Sequence, residues 1–298
     1  SSNSFISNLP SIYSPIPMAV LWAVVSLTWW SVQGEIQLAT CKNRSLQTMP
    51  LKNNEDPCLC VFDVDRTLTG YQELLSECPH NSVKDGVKDF AYLYATPRGF
   101  GFLTLSELAQ GLNSTFCSRC YLGIASAGGA GLDDEKDVLL SVLKVANGDR
   151  STLVSAMPAW TTEDESEPPF VVWCGEGGKH RCVSKIATWY RTERNASLLD
   201  EHVYFFDDKE DNIRPFAETK FNALQVSCNT RNGSRGLCGG LASEVSPVQG
   251  VFLCEDGQQV CLEDILAGEV DPTDLSNSHP FFLATVGVSL MLRIFLLS

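Results

Sequence analysis

Positive charge is the scarcest resource in this sequence. Lys and Arg number 22 against 36 Asp and Glu, for a formal net charge of -14. A nucleic-acid partner is thereby disfavoured, because phosphate backbones are held by basic surfaces. A phosphate ester is not excluded, since a bound metal ion inverts the local field. Also missing is a compact quartet of Cys and His. Only Cys117-Ser-Arg-Cys120 has ligand-like spacing, and no second pair lies near it, which argues against structural zinc. The same pair lacks thioredoxin-like surroundings, so a redox motif is disfavoured too. No internal repeat is found. No Lys or Arg precedes Lys42, so the basic flank of an export signal is absent.

What is present suits a packed globular protein: 44% of residues are hydrophobic and 19% charged. The length of 298 residues allows one large domain or two small ones. Twelve cysteines are many for a reducing compartment. Ten of them fall in close pairs, Cys58 and Cys60, Cys117 and Cys120, Cys174 and Cys182, Cys228 and Cys238, Cys254 and Cys261. Disulfides in an oxidising compartment account for them best, with connectivity left open.

The ends point the same way. After Met18 the run Ala19 to Trp30 is apolar apart from Ser26 and Thr28, the length of a signal-peptide core rather than of a membrane span. Val32 and Gly34 fit the small-residue positions of a cleavage site. Residues 1–34 are therefore read as an upstream and signal-like segment, with Met18 as the start. A second apolar run, Phe281 to Ser298, is broken by Arg293 and preceded by Ser276, Asn277 and Ser278. Residues 276–298 are read as a tail that attaches the protein to a membrane, through either a glycolipid signal or a tail anchor. Sequons at Asn43, Asn113, Asn195 and Asn232 agree with secretion.

Between these ends, 41–275 reads as one α/β domain. Strands are expected at Cys58 to Val64, Tyr121 to Ala125, Phe170 to Cys174 and His202 to Phe206. Helices are expected at Leu103 to Leu112, Glu135 to Val145 and His180 to Arg194. Strands alternating with helices imply a parallel sheet covered on both faces, a three-layer architecture. Asp164 to Pro169 is an acidic loop, and the Gly- and Cys-rich text after Cys228 reads as a disulfide-tied appendix.

The sharpest signal is Val61-Phe-Asp-Val-Asp-Arg-Thr-Leu-Thr-Gly70. A buried strand ends in two carboxylates two residues apart, so both project from one side. Ligands of open parallel sheets gather beyond the carboxyl ends of the strands. Two acids there repel each other unless a cation lies between them, and hard oxygen ligands suit Mg2+. The bland alternative is an acidic turn whose Asp residues cap the next helix.

This run resembles the first motif of the haloacid-dehalogenase superfamily, Asp-x-Asp-x-Thr. Tyr-Leu-Gly-Ile-Ala-Ser126 is similar to the second motif, and Val203-Tyr-Phe-Phe-Asp-Asp208 followed by Asp211-Asn212-Ile to the fourth. The last stretch looks especially like the eukaryotic magnesium-dependent phosphatases of that superfamily. For the lysine of the third motif there are two candidates, Lys185 by spacing and Lys179 by periodicity. Val183, Ile186, Ala187 and Tyr190 define a buried helix face that includes Lys179 and turns Lys185 toward water. Lys179 is therefore chosen.

The resemblance implies a Rossmann-like fold and a set of roles. Asp63 would attack phosphorus, and Asp65 would act as general acid and then base. Ser126 and Lys179 would hold the phosphoryl group. Mg2+ would be bound by Asp63, the carbonyl of Asp65, and Asp207, with Asp208 and Asp211 as outer partners. Thr67 would bond within the turn. Asp65 also favours phosphate esters over carbon–halogen bonds, because dehalogenases of the family lack it. The gaps around the second motif, about 50 and about 40 residues, leave room for a small cap or none. The expected activity is hydrolysis of a phosphorylated small molecule or phosphoprotein. The rival is a secreted glycoprotein that keeps the fold without turnover and acts as a binding module.

Overall fold

The computed structural model describes residues 57–89, 101–131, 133–146 and 168–269. The segment up to Gly34, the Asn43 sequon, the run from Phe281 and most of the acidic loop before Pro169 lie outside the described residues.

The protein is a mixed α/β structure built on one seven-stranded sheet. Its strands are β1 (Leu59–Phe62), β4 (Tyr121–Ala125), β5 (Phe170–Val171), β6 (Val203–Asp207), β7 (Asn222–Gln225), β10 (Val251–Glu255) and β11 (Gln258–Cys261). They lie in the order β11-β10-β7-β6-β1-β4-β5. All neighbours are parallel except β10 and β11, which form an antiparallel hairpin. Two short hairpins stand apart from the sheet: β2 (Ser82–Lys88) with β3 (Phe102–Leu105), and β8 (Arg231–Asn232) with β9 (Arg235–Gly236).

Every residue of β1 is buried, as expected of a strand with both faces covered. Its alternate side chains serve different layers. Leu59 and Val61 join Val203, Phe205 and Ala223 beneath α3 (Lys179–Glu193), which contributes Val183, Ile186, Ala187 and Tyr190. Cys60 and Phe62 join Leu122, Ile124, Tyr204 and Phe206 on the other face, beneath α1 (Glu107–Gly111) and α2 (Asp133–Ala146). Each fully buried Leu, Val, Ile or Phe contributes about 1.5–3 kcal/mol. The Tyr190 hydroxyl remains satisfied in this core by donating to the Leu122 carbonyl at 2.6 Å.

Three expectations are corrected. Leu103 to Leu112 is not one helix. Phe102–Leu105 pairs with β2, and α1 begins only after Ser106, whose hydroxyl accepts from the Ala109 N–H as an N-cap. Leu105, Leu108 and Leu112 are buried at helical spacing, whereas Leu103 and Leu105 are buried two residues apart on the strand, so a strand-to-helix switch occurs within the run. The strand after Pro169 ends at Val171 rather than Cys174, because Trp173 adopts a left-handed backbone with φ 58°. The chain after Cys228 is no appendix, since β10 and β11 extend the main sheet.

Among the described residues five disulfides join Cys58 to Cys120, Cys60 to Cys117, Cys78 to Cys238, Cys174 to Cys182 and Cys228 to Cys254. Of the pairs close in sequence, only Cys174 and Cys182 are bonded to each other. Cys58 and Cys60 face the same way because they are two residues apart on a strand. Both meet the short 3-10 segment Phe116–Arg119 and its C-cap Cys120. The Cys-x-x-Cys pair is thus consumed by two parallel bridges. No cysteine among the described residues is free, as is typical of proteins from oxidising compartments. Asn113, Asn195 and Asn232 are all exposed. Among the described residues no helix is long and apolar enough to cross a membrane.

Candidate active site

The strand order reverses at β1: the chain moves outward through β4 and β5, then returns to place β6 on the other side. Such a reversal opens a crevice beyond the carboxyl ends of the two flanking strands. Asp63 follows β1 directly, Asp207 is the last residue of β6, and Ser126 follows β4 directly. The Asp63 N–H donates to the Phe206 carbonyl at 2.9 Å, which carries the pairing one residue past the strand.

Beyond Asp63 the chain makes a single helical turn, Val64–Leu68, with Arg66 left-handed at φ 63°. A non-glycine residue in this region costs about 1–3 kcal/mol, a strain that clusters at functional sites. The turn is held by Thr69, whose hydroxyl donates to the Val64 carbonyl and accepts from the Arg66 N–H. Thr67 was expected in that role. Its hydroxyl is buried and makes no hydrogen bond.

Lys179 is the first residue of α3 and only 1% exposed, whereas Lys185 is exposed. Its ammonium lies 2.6 Å from Asp63 Oδ1 and 2.6 Å from Asp207 Oδ2. The preceding glycine pair serves protein packing. A Cβ on Gly178 would stand 2.4 Å from the Cys174 carbonyl oxygen, and the Gly177 N–H donates to Asn212 Oδ1 at 2.9 Å.

Asp207 also accepts from Asn212 Nδ2 through both oxygens at 3.1 Å and from the Lys209 N–H at 2.7 Å. Asp208 accepts from the Gly236 N–H at 2.7 Å. Its carbonyl takes bonds from Gln225 Nε2 and Arg231 Nη2. The β8–β9 hairpin therefore closes over the acidic pair. Asp211, expected as an outer partner of the metal, is exposed, and the residue of that stretch that meets Asp207 is the buried Asn212. Asn212 was visible beside Asp211 in the sequence but carried no role. The Gly236 contact had no sequence signal, because any backbone N–H could make it.

One carboxylate oxygen from each of Asp63, Asp207 and Asp208 lies within 4.8 Å of the others. Three buried hard-oxygen donors fit a Mg2+-class cation. The Asp65 side chain is not in this group. Burial pushes Asp63 well above the usual carboxylate range, against the pull of Lys179. Burial, helped by Asp89, raises Asp65 to about 6. Burial, helped by Asp207, raises Asp208 to about 7. Carboxylates crowded and desolvated in this way gain most from an added positive charge.

Ser126 Oγ and Asp65 Oδ1 are buried without a hydrogen-bond partner. An unmade bond at a buried polar atom costs about 1–3 kcal/mol, and both atoms belong to residues at the carboxyl ends of β4 and β1. The site thus combines a carboxylate clamped by an ammonium, three carboxylates that could hold a cation, and two buried polar atoms without a hydrogen-bond partner. Comparison with protein-family models yields no match to this chain, and comparison with curated proteins yields none either.

Proposed function

We propose that the protein is a Mg2+-dependent phosphomonoester hydrolase of the haloacid-dehalogenase type, working in the secretory pathway or at the cell surface. The observation that carries this reading is Lys179, whose ammonium is shared by Asp63 and Asp207 at the switch point of the sheet. An ammonium there pulls the Asp63 carboxyl back toward its ionised form against burial, which still holds it above the usual range, and it faces the place where phosphoryl charge moves.

The chemistry follows from these positions. An oxygen of Asp63 attacks phosphorus as the bond to the ester oxygen breaks, giving an acyl phosphate on Asp63. The Asp65 carboxyl, raised to about 6 by burial and Asp89, supplies the proton that the departing oxygen takes. The resulting Asp65 carboxylate then removes a proton from water, which attacks phosphorus and releases inorganic phosphate and free Asp63. Ser126 donates its unused hydroxyl to a phosphoryl oxygen, and Lys179 offsets the charge. Asp63, Asp207 and Asp208 would hold the cation, which when bound supplies further positive charge against the phosphoryl oxygens. Export is supported by the five disulfides and the exposed sequons, and membrane attachment by the apolar run from Phe281.

The test is a panel of phosphate esters assayed for released phosphate with Mg2+ and with chelator. We expect cation-dependent turnover in the native protein and loss of several orders of magnitude in Asp63→Asn, at an unchanged circular dichroism spectrum. Near-native activity in Asp63→Asn overturns the nucleophile assignment. Absence of hydrolysis across the panel favours the binding-module reading instead.

A further inference from the structure

We propose that Trp173 determines substrate preference at this site by stacking on a planar aromatic ring in the alcohol portion of the phosphate ester. The inference rests on the phosphatase reading and extends it to a substrate class. Trp173 is 62% exposed, although it follows the buried run Phe170–Val172. An indole left in water forfeits the burial that large aromatic side chains ordinarily gain.

The backbone beneath it is also held in an unfavourable state. Trp173 has φ 58°, the left-handed region that bulky side chains avoid. Its neighbours enforce that conformation. The Trp173 N–H donates to the Gly128 carbonyl at 3.1 Å, and the Cys174 N–H donates to the Ser126 carbonyl at 3.0 Å. Cys174 is bonded in turn to Cys182, one turn beyond Lys179 on α3. The loop carrying the indole is thereby tied to both residues assigned to the phosphoryl group.

The indole is laid against Gly129, where an added Cβ would come within 3.0 Å of its Cζ2. One edge is thus fixed by the protein while most of the ring remains open to solvent. A fixed aromatic surface beside the carboxyl end of β4 suits a ring joined to the phosphate, because stacking on a rigid partner costs little ordering entropy. The ring could belong to a phenol or to a nucleoside base, and both offer the same planar π-face.

The experiment compares native protein, Trp173→Ala and Trp173→Phe on three substrates in Mg2+: phenyl phosphate, a nucleoside 5'-monophosphate and glycerol 2-phosphate. Each variant is read as its own change in kcat/KM per substrate, which cancels the esters' intrinsic reactivities. We expect Trp173→Ala to lose about tenfold on at least one aromatic ester and less than twofold on glycerol 2-phosphate, with Trp173→Phe restoring most of the loss. The aromatic ester that responds identifies the source of the ring. Equal losses on all three substrates, or none on any, overturn the platform while leaving the phosphatase reading intact. A native protein that hydrolyses none of the three, nor any ester of the wider panel, removes both.

Discussion

An ammonium with almost no water around it is tolerated at Lys179 because two carboxylates lie 2.6 Å away. Burial alone draws a lysine pKa down, but Asp207 and Asp63 outweigh it and hold Lys179 above the usual lysine range. Lys179→Ala therefore strands Asp207, which is 0% exposed, without its charge partner. Breaking a buried pair from one side costs about 3–5 kcal/mol. We expect that loss in denaturant unfolding of chelated protein, together with a fall of orders of magnitude in turnover. Lys185→Ala, on the exposed side of the same helix, should stay within about 0.5 kcal/mol and keep its activity. Similar effects from the two substitutions would remove Lys179 from the site.

The strand that presents Asp63 is anchored twice. β1 places Asp63 through its buried side chains, and its amino end is bridged by Cys58 and Cys60 to the segment around Phe116. Removing one native bridge with Cys60→Ala and Cys117→Ala should cost about 2–5 kcal/mol, read as a lower denaturant midpoint. Because both cysteines face away from the α3 layer, the kcat of the folded fraction should hold. A collapse of kcat at full folding would mean that this bridge sets the position of Asp63. Elements with one clean periodicity were legible beforehand: Tyr121 to Ala125 is the observed β4, and the α2 and α3 helices match within about two residues. The span from Leu103 to Leu112 was not, since Leu105, Leu108 and Leu112 keep a helical spacing that starts on the last residue of a strand.

Taken together, the buried acids should make the whole molecule sensitive to pH and, on the proposed function, to cations. Asp208, raised to about 7, and Asp65, raised to about 6, keep protons in the folded state that the unfolded chain releases near 4. Between those values the folded form binds more protons, so its stability falls as pH rises. We expect the chelated protein to melt at lower temperature at pH 7.5 than at pH 5. A Mg2+-class cation held by Asp63, Asp207 and Asp208 would need their ionised forms, so its addition should raise the melting temperature at pH 7.5 far more than at pH 5. A cation effect of equal size at both values would place binding away from Asp63, Asp207 and Asp208.

Local sequence alone determined the α/β alternation, the two carboxylates at the end of β1, the acidic pair at the end of β6 and the helical face that carries Lys179. Each depends on periodicity or on neighbours along the chain, which a sequence displays directly. Tertiary structure decided the rest. It brought Lys179 between Asp63 and Asp207, set Asn212 against Asp207, and assigned the turn bonds to Thr69 rather than Thr67. Among the described residues it also paired cysteines across 62, 57, 160 and 26 residues, and only the Cys174–Cys182 bridge there is local, at a separation of 8. These outcomes turn on which surfaces meet when the sheet stacks against its helices, and on backbone groups such as the Gly236 N–H that every residue shares. Side-chain identity marks what a position can do, but only packing determines what stands opposite it.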